Sequence, residues 1–323
     1  MTAGRKRALK SPLAPYIERL IAAKRACGYS YEGEEYELGR FDELCCERGL
    51  EQATVDRELV MAWAEACPAE GRNRRAQRVS YVRQLCLYMV GQGVECYVPH
   101  GFSARRKNVP YIPSAEEVAD FFAVADAWEP GVPGFGLMQD GYRVAFRLMY
   151  CCGLRTGECA GMRAEDVDLG RGVLTVRHSK GDKDRLVYMA DDLSSACAAY
   201  IREAESELGF APEWLFPGKY GRGHVSKTTY DLKFRQFWEK TPAARSSNRR
   251  PTPHCLRHAF VVERVNGWIR GGVDVSAMAP YLSKYLGHSG PEETFYYYHQ
   301  VAEAMPIVRE RDRVCGRVVP EVG

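Results

Sequence analysis

The sequence predicts a mainly α fold carrying one small β-hairpin, α+β in class, with two domains. Three observations carry this. Residues 11–100 space their apolar side chains at three and four residues, the period of amphipathic helices. A Pro-, Gly- and Arg-bearing stretch without periodicity, "YVPHGFSARRKNVPYIPS", then interrupts the pattern. Beyond it, two β-branched segments stand among further helical ones.

In the first domain, 1–103, the helical segments are "LAPYIERLIAAKRACGY", "EEYELGRFDELCCERG", "VDRELVMAWAEAC" and "NRRAQRVSYVRQLCLYMVGQG". The last ends at glycine, a usual helix stop, and the short connections make a small four-helix bundle. Residues 104–113 form the linker. Ser114 opens the second domain, 114–300, as a helix cap, with Glu117 three residues on as the other half of a capping box. "GYRVAFRLMYCCG" is a helix ending at Gly153. "GVLTVRH" and "RLVYM" flank "SKGDK" as a hairpin. "SKTTYDLKFRQFWEK", "HCLRHAFVVERVNGW" and "MAPYLSKYLGH" return to helix. The tail, 301–323, has little helical character but carries Met305, Ile307 and Val308 as a small apolar patch. It is expected to contact a neighbouring protomer.

Hydrophobic residues are 46% and charged residues 27% of 323, the mix of a water-soluble globular chain. No apolar run reaches the ~18 residues of a membrane helix, and the basic N-terminus lacks the apolar core of a signal peptide. A cytoplasmic protein without a membrane partner is expected. Twelve cysteines include two adjacent pairs and no C-x-x-C, so they read as reduced core fillers. His254 and His258 have the spacing of a zinc pair, but Cys255 stands where the glutamate of H-E-x-x-H would be. Net charge is only +3, yet the positive residues cluster. Arg72, Arg74, Arg75, Arg105, Arg106, Lys107, Arg249 and Arg250 are the candidate phosphate contacts.

Five short stretches in the second domain carry unusual polar residues. These are "CGLRTGE", "HSKGDKDR", "TPHCLRH", "YLGHSG" and "ETFYYYHQ". Their order and spacing resemble the tyrosine recombinases, the phage-integrase type of site-specific DNA recombinase. Arg155 falls on the arginine of G-L-R-x-x-E and Lys180 on the lysine of the hairpin motif. His254 and Arg257 fall on H-x-L-R-H, and His288 on L-G-H-S. The family nucleophile lies nine residues further, within Y-x-H, which selects Tyr297 from the run Tyr296–Tyr298. A serine precedes Lys180 where the family has glycine, which leaves Lys183 as the alternative lysine.

The resemblance covers roughly 111–300 and extends less distinctly to the helical bundle, which is similar to a core-binding domain. It implies two domains forming a clamp around DNA. It also implies a site-specific recombinase cutting and rejoining DNA through a 3′-phosphotyrosine, in integration or excision of a mobile element. The implied partners are duplex DNA with inverted-repeat core sites, a homotetramer at synapsis and, in some systems, accessory DNA-bending proteins. Alternatives are a type IB topoisomerase-like enzyme and a catalytically inactive DNA-binding regulator on the same fold.

The residue types suit the chemistry. Attack on a phosphodiester builds charge on non-bridging oxygens, which two guanidiniums can clamp with fixed, always-charged donors. Arg155 and Arg257 take that role. A tyrosine hydroxyl, with a reference pKa of about 10, needs a proton acceptor, and His254 can serve. The departing 5′ oxygen needs a proton, which Lys180 can supply. His288 binds phosphate or orients Tyr297, and Glu158 buttresses an arginine or the histidine. With the arginines supplying the electrostatics, no metal and no cofactor is expected.

Overall fold

In this computed structural model the described residues are 8–67, 69–100, 110–131, 136–179, 183–246, 250–288 and 290. The chain divides into two compact units, Met1–Asn108 and Val109–Gly323.

The first unit is built from helices α1 (Ala14–Ala26), α2 (Glu32–Glu47), α3 (Arg57–Glu65) and α4 (Arg72–Gly91). These are the four periodic segments of the sequence. Asp56 caps α3 by accepting the Leu59 N–H at 2.8 Å. The first three helices all pack on α4. Its Val79, Val82, Leu85 and Met89 meet Ile17, Leu38, Phe41 and Trp63 in a single core.

That core holds one guanidinium. Arg78 is fully buried, with its charge 4.3 Å above the Trp63 ring centroid. It donates to the Trp63 carbonyl, to the Ala64 carbonyl at 3.4 Å and to Glu70 Oε2 at 3.0 Å. A buried charge is tolerated only when it is paired and hydrogen-bonded in this way. The side chain therefore ties α4 to the end of α3.

The second unit runs α5 (Ala115–Ala127), α6 (Gly136–Cys151), α7 (Thr156–Ala160), β1 (Val167–Asp168), β2 (Val173–Ser179), β3 (Lys183–Tyr188), α8 (Asp191–Leu208), α9 (Lys227–Trp238), α10 (Pro242–Ser246), α11 (His254–Arg270) and α12 (Val275–Leu286). The capping box expected at Ser114 is formed, with the Ser114 hydroxyl and the Glu117 carboxylate each accepting the other residue's N–H. The sheet is antiparallel in the order β1-β2-β3. Thr175 faces Leu186 and Val176 faces Arg185, and the register slips between Val176 and Ser179.

The mainly helical fold with one small sheet is thus observed. The sequence reading found the hairpin but not the two-residue strand β1, nor α7, α8 and α10. The α8 face buries Leu193, Cys197, Tyr200 and Ala204. Its period is helical, but only one of the four is an aliphatic side chain of full size, so the pattern is faint.

Phe146 on α6 is the hub of the core of this unit. It meets Phe121, Phe234, Phe237 and Tyr230 edge-on, with ring centroids 5.4 to 6.0 Å apart. A smaller cluster, Phe260, Val261, Val262, Val265, Leu282 and Leu286, joins α11 to α12. The described cysteines are unpaired. Cys45, Cys86, Cys152, Cys159, Cys197 and Cys255 fill cores as expected, whereas Cys27, Cys46 and Cys151 are exposed, a correction to the uniform core-filler reading.

Replacing Arg78 by alanine would leave Glu70 and two carbonyls without their donor. The first unit's transition in a urea melt of the full chain should fall by about 3 kcal/mol. A loss under about 1 kcal/mol would mean that water replaces the guanidinium at no cost.

Candidate active site

Two glycine turns bring the polar residues of the second unit together. Gly153 follows α6 with φ +63°. A Cβ there would lie 2.8 Å from Phe260 and 3.0 Å from Leu286, so neither the backbone conformation nor the space admits another residue. Gly287 ends α12 with φ +67°. The first turn presents Arg155 and starts α7, and the second presents His288.

Arg155 donates from Nη1 to Glu158 Oε1 at 2.7 Å and from Nη2 to the Gly287 carbonyl at 3.0 Å. Arg257, on the first turns of α11, donates to the Gly153 and Leu286 carbonyls, both at 2.6 Å. Its Nη2 also lies 2.9 Å from His288 Nε2. A guanidinium has no acceptor, so His288 accepts there and carries its own proton on Nδ1. Each arginine therefore clasps the turn that carries the other end of the site.

Glu158 lies between them and is nearly buried. Oε2 accepts the Arg155 N–H at 2.8 Å and Arg185 Nη2 at 2.7 Å, and stands 3.9 Å from Arg257 Nη1. Oε1 accepts Arg185 Nη1 at 2.9 Å as well as Arg155. Burial would raise this carboxyl. The hydrogen bonds and charge of Arg185, with those of Arg155, overrule burial and bring it down to about 2.

The histidines shift the other way. Burial, then the charges of Arg257 and Arg155, hold His254 down at about 4 and His288 down at about 3. Both are neutral at pH 7, so His254 is able to accept a proton and His288 has the state its hydrogen bond requires. His254 packs edge-on against His258, with ring centroids 4.4 Å apart. Arg155, Glu158 and His254 line a cleft of about 1020 Å³ that continues past Lys227, Trp214 and His224. Arg155 is the accessible arginine of the pair, about a quarter exposed against 2% for Arg257.

The arrangement is one of always-charged donors and a neutral base at a cleft, around a carboxylate that orders them. Residues 138–304, a little over half of the chain, match the model of the phage integrase family. The chain belongs to that family, the tyrosine recombinases. By membership it is an enzyme that breaks and rejoins DNA.

Over 302 residues it is 28% identical to "Putative integrase/recombinase y4rE" of Sinorhizobium fredii, covering 93% of this chain and 95% of that one. It is 24% identical over 299 residues to the tyrosine recombinase XerD of Rhizobium meliloti, covering 90% and 91%. In fold it is similar to a lambda integrase tetramer bound to a Holliday junction, with a TM-score of 0.60 at 17% identity, covering 88% of this chain and 76% of that one.

Of the residues expected from sequence, Arg155, Glu158, His254, Arg257 and His288 meet in this one place. Lys180, Tyr297 and the tail lie outside the described residues, as do Arg105, Arg106, Lys107 and Arg249. Nor is the Lys183 side chain described. Among the candidate phosphate contacts, Arg72 and Arg250 are exposed. Arg74 pairs with Glu37 and, at 3.6 Å, with Glu70, so part of its charge is already answered within the first unit. Arg75 is half-buried. The reading from sequence missed Arg185, although it is the last residue of "SKGDKDR".

Because the Glu158 pKa is depressed on folding, its contribution is present above the unfolded value near 4.5 and is lost as pH falls towards about 2. The whole shift corresponds to about 3 kcal/mol, roughly half of it gone by pH 3. Urea melts of wild type between pH 4.5 and 3 should therefore fall more steeply than those of Glu158→Gln, by about 1.5 kcal/mol. Parallel slopes would remove Glu158 from the acid-sensitive groups.

Proposed function

We propose that this chain is a site-specific recombinase acting through a 3′-phosphotyrosine on Tyr297, serving integration or excision of a mobile element. The observation that carries the reading is the gathering of Arg155 and Arg257 about the Glu158 carboxylate, with His288 on Arg257 and His254 lining the same cleft as Arg155. The integrase/recombinase name of the Sinorhizobium relative supports the mobile-element part.

In this reading the Tyr297 oxygen attacks the scissile phosphorus and its proton passes to His254. Arg155 and Arg257 stabilise the charge that grows on the non-bridging oxygens, where one such contact contributes a factor of ~10²–10³. The bond to the 5′ oxygen breaks, and that oxygen leaves with a proton from Lys180. Rejoining reverses the steps, with a 5′ hydroxyl of the partner strand attacking the phosphotyrosine. The ester keeps the bond energy, so no nucleotide is consumed. Each protomer binds one duplex at an inverted-repeat core site, and four protomers meet on two duplexes. The lambda integrase tetramer on a junction is the supporting likeness.

The DNA probe for testing this is a nicked duplex selected from a random-sequence pool by covalent capture with the wild-type chain. Tyr297→Phe should bind it and form no covalent adduct, while Tyr296→Phe and Tyr298→Phe still form one. An adduct with Tyr297→Phe would sink the assignment. Relaxation of a supercoiled plasmid that lacks the selected site would favour the type IB topoisomerase reading.

The leaving group can be tested separately. Lys180→Ala should be slow on normal DNA and largely restored by a 5′-bridging phosphorothiolate, whose sulfur departs without a proton. Restoration of Lys183→Ala in its place would transfer the acid role to Lys183.

A further inference from the structure

Arg185 spends its whole donor fork inside the site. Nη1 and Nη2 bind the two Glu158 oxygens at 2.9 and 2.7 Å, and Nε donates to the Tyr285 carbonyl at 2.8 Å. The side chain is only 8% exposed. It has little surface left with which to meet a phosphate, unlike Arg155. Yet it grips both parts of the frame that holds the reactive arginines. Glu158 takes Arg155, and Tyr285 directly precedes Leu286 and Gly287, whose carbonyls take Arg257 and Arg155.

We propose that Arg185 is a positioning residue for DNA cleavage, fixing Glu158 against the end of α12 so that Arg155 and Arg257 stand at a set separation. The inference rests on the recombinase reading above. Arg185 also lies on β3, five residues after Lys180 in the sequence. A bidentate fork sets an angle as well as a distance, and a displacement of about 1 Å in a reacting group can cost ~10²-fold in rate.

Removing the fork has a second consequence. Glu158 faces Arg155 from its own turn, Arg185 from β3, Arg257 and His254 from α11, and Lys227 across the cleft. Without Arg185 its hydrogen bonds and ion pairs among the described residues come down to the two Arg155 donors and the distant Arg257. Burial then favours the protonated form, which holds Arg155 less well.

Single-turnover cleavage of the selected nicked duplex, with parallel gel-shift binding, tests the proposal. Arg185→Met should bind the duplex within ~3-fold of wild type, cleave ~100-fold more slowly and lose activity at a higher pH on the acid side. Arg185→Lys keeps the charge and not the fork, so it should keep the wild-type acid limb while staying ~10-fold slow. On a Glu158→Gln background, Arg185→Met should add little further loss.

Full additivity on that background would overturn the proposal, as would wild-type cleavage by Arg185→Met. A binding loss equal to the cleavage loss would make Arg185 a direct DNA contact and overturn it too. If Arg185→Met does not fold, Arg185→Lys and the Glu158→Gln pair carry the same test. In urea melts against pH, without DNA, Arg185→Lys should lose stability on the acid side with the wild-type slope, and a slope matching that of Glu158→Gln would overturn the reading that the charge at 185 keeps Glu158 ionised. Absence of any wild-type adduct would instead count against the recombinase reading, and Tyr297→Phe in the same assay keeps the two failures apart.

Discussion

The site depends on a buried carboxylate that must stay ionised. Glu158 is surrounded by guanidiniums from three separate parts of the chain, the turn before α7, strand β3 and helix α11. Three positive groups brought this close would repel one another if nothing stood between them. One negative charge at their centre removes part of the repulsion and leaves a net positive field facing the cleft. Such a field favours an anion that arrives later and disfavours a proton on any nearby base. It adds to what burial does to the histidines: His254 and His288 are held neutral first by burial and then by the same arginines. One carboxylate thus keeps the cations assembled, and the cations keep the base free of its proton.

The two units solve the problem of a buried cation in related ways. In the first, Arg78 is laid across an indole and tied to main-chain carbonyls, and its role is cohesion. In the second, Arg257 is tied to main-chain carbonyls and a neutral imidazole, beside a cleft. The difference lies in the neighbours. The surroundings of Arg78 are an apolar core closed by Glu70. Arg257 sits next to Arg155, which is accessible, so the pair reaches the surface through one member.

Much of this was legible in the sequence. The helices declared themselves through aliphatic and aromatic period, the hairpin through β-branched runs, and Arg155, Glu158, His254, Arg257 and His288 through short motifs in order. Helix α8 was not legible, because a face of Leu193, Cys197, Tyr200 and Ala204 lacks the contrast that a moment needs. Arg185 stands inside its motif with nothing in the sequence to set it apart. An arginine on a hairpin strand is ordinarily a solvent-facing residue, and only the fold reveals that its fork closes on a glutamate 27 positions away. Arg74 shows the reverse case: a basic cluster gave it a partner outside the chain, and the fold gives it Glu37 within.

Beside the Glu158 carboxylate and the His288 ring, the arginines of the site are gripped by carbonyl oxygens of Gly153, Leu286 and Gly287. An acceptor of that kind survives replacement of its own residue's side chain, so long as the turn keeps its course. Leu286 could drift to another apolar residue and still present the same oxygen to Arg257. What cannot drift is the left-handed backbone at 153 and 287. Among relatives of this chain the trace of these contacts would be two invariant glycines, with no matched pair of side chains changing together. A search for co-varying positions would pass over these main-chain bonds.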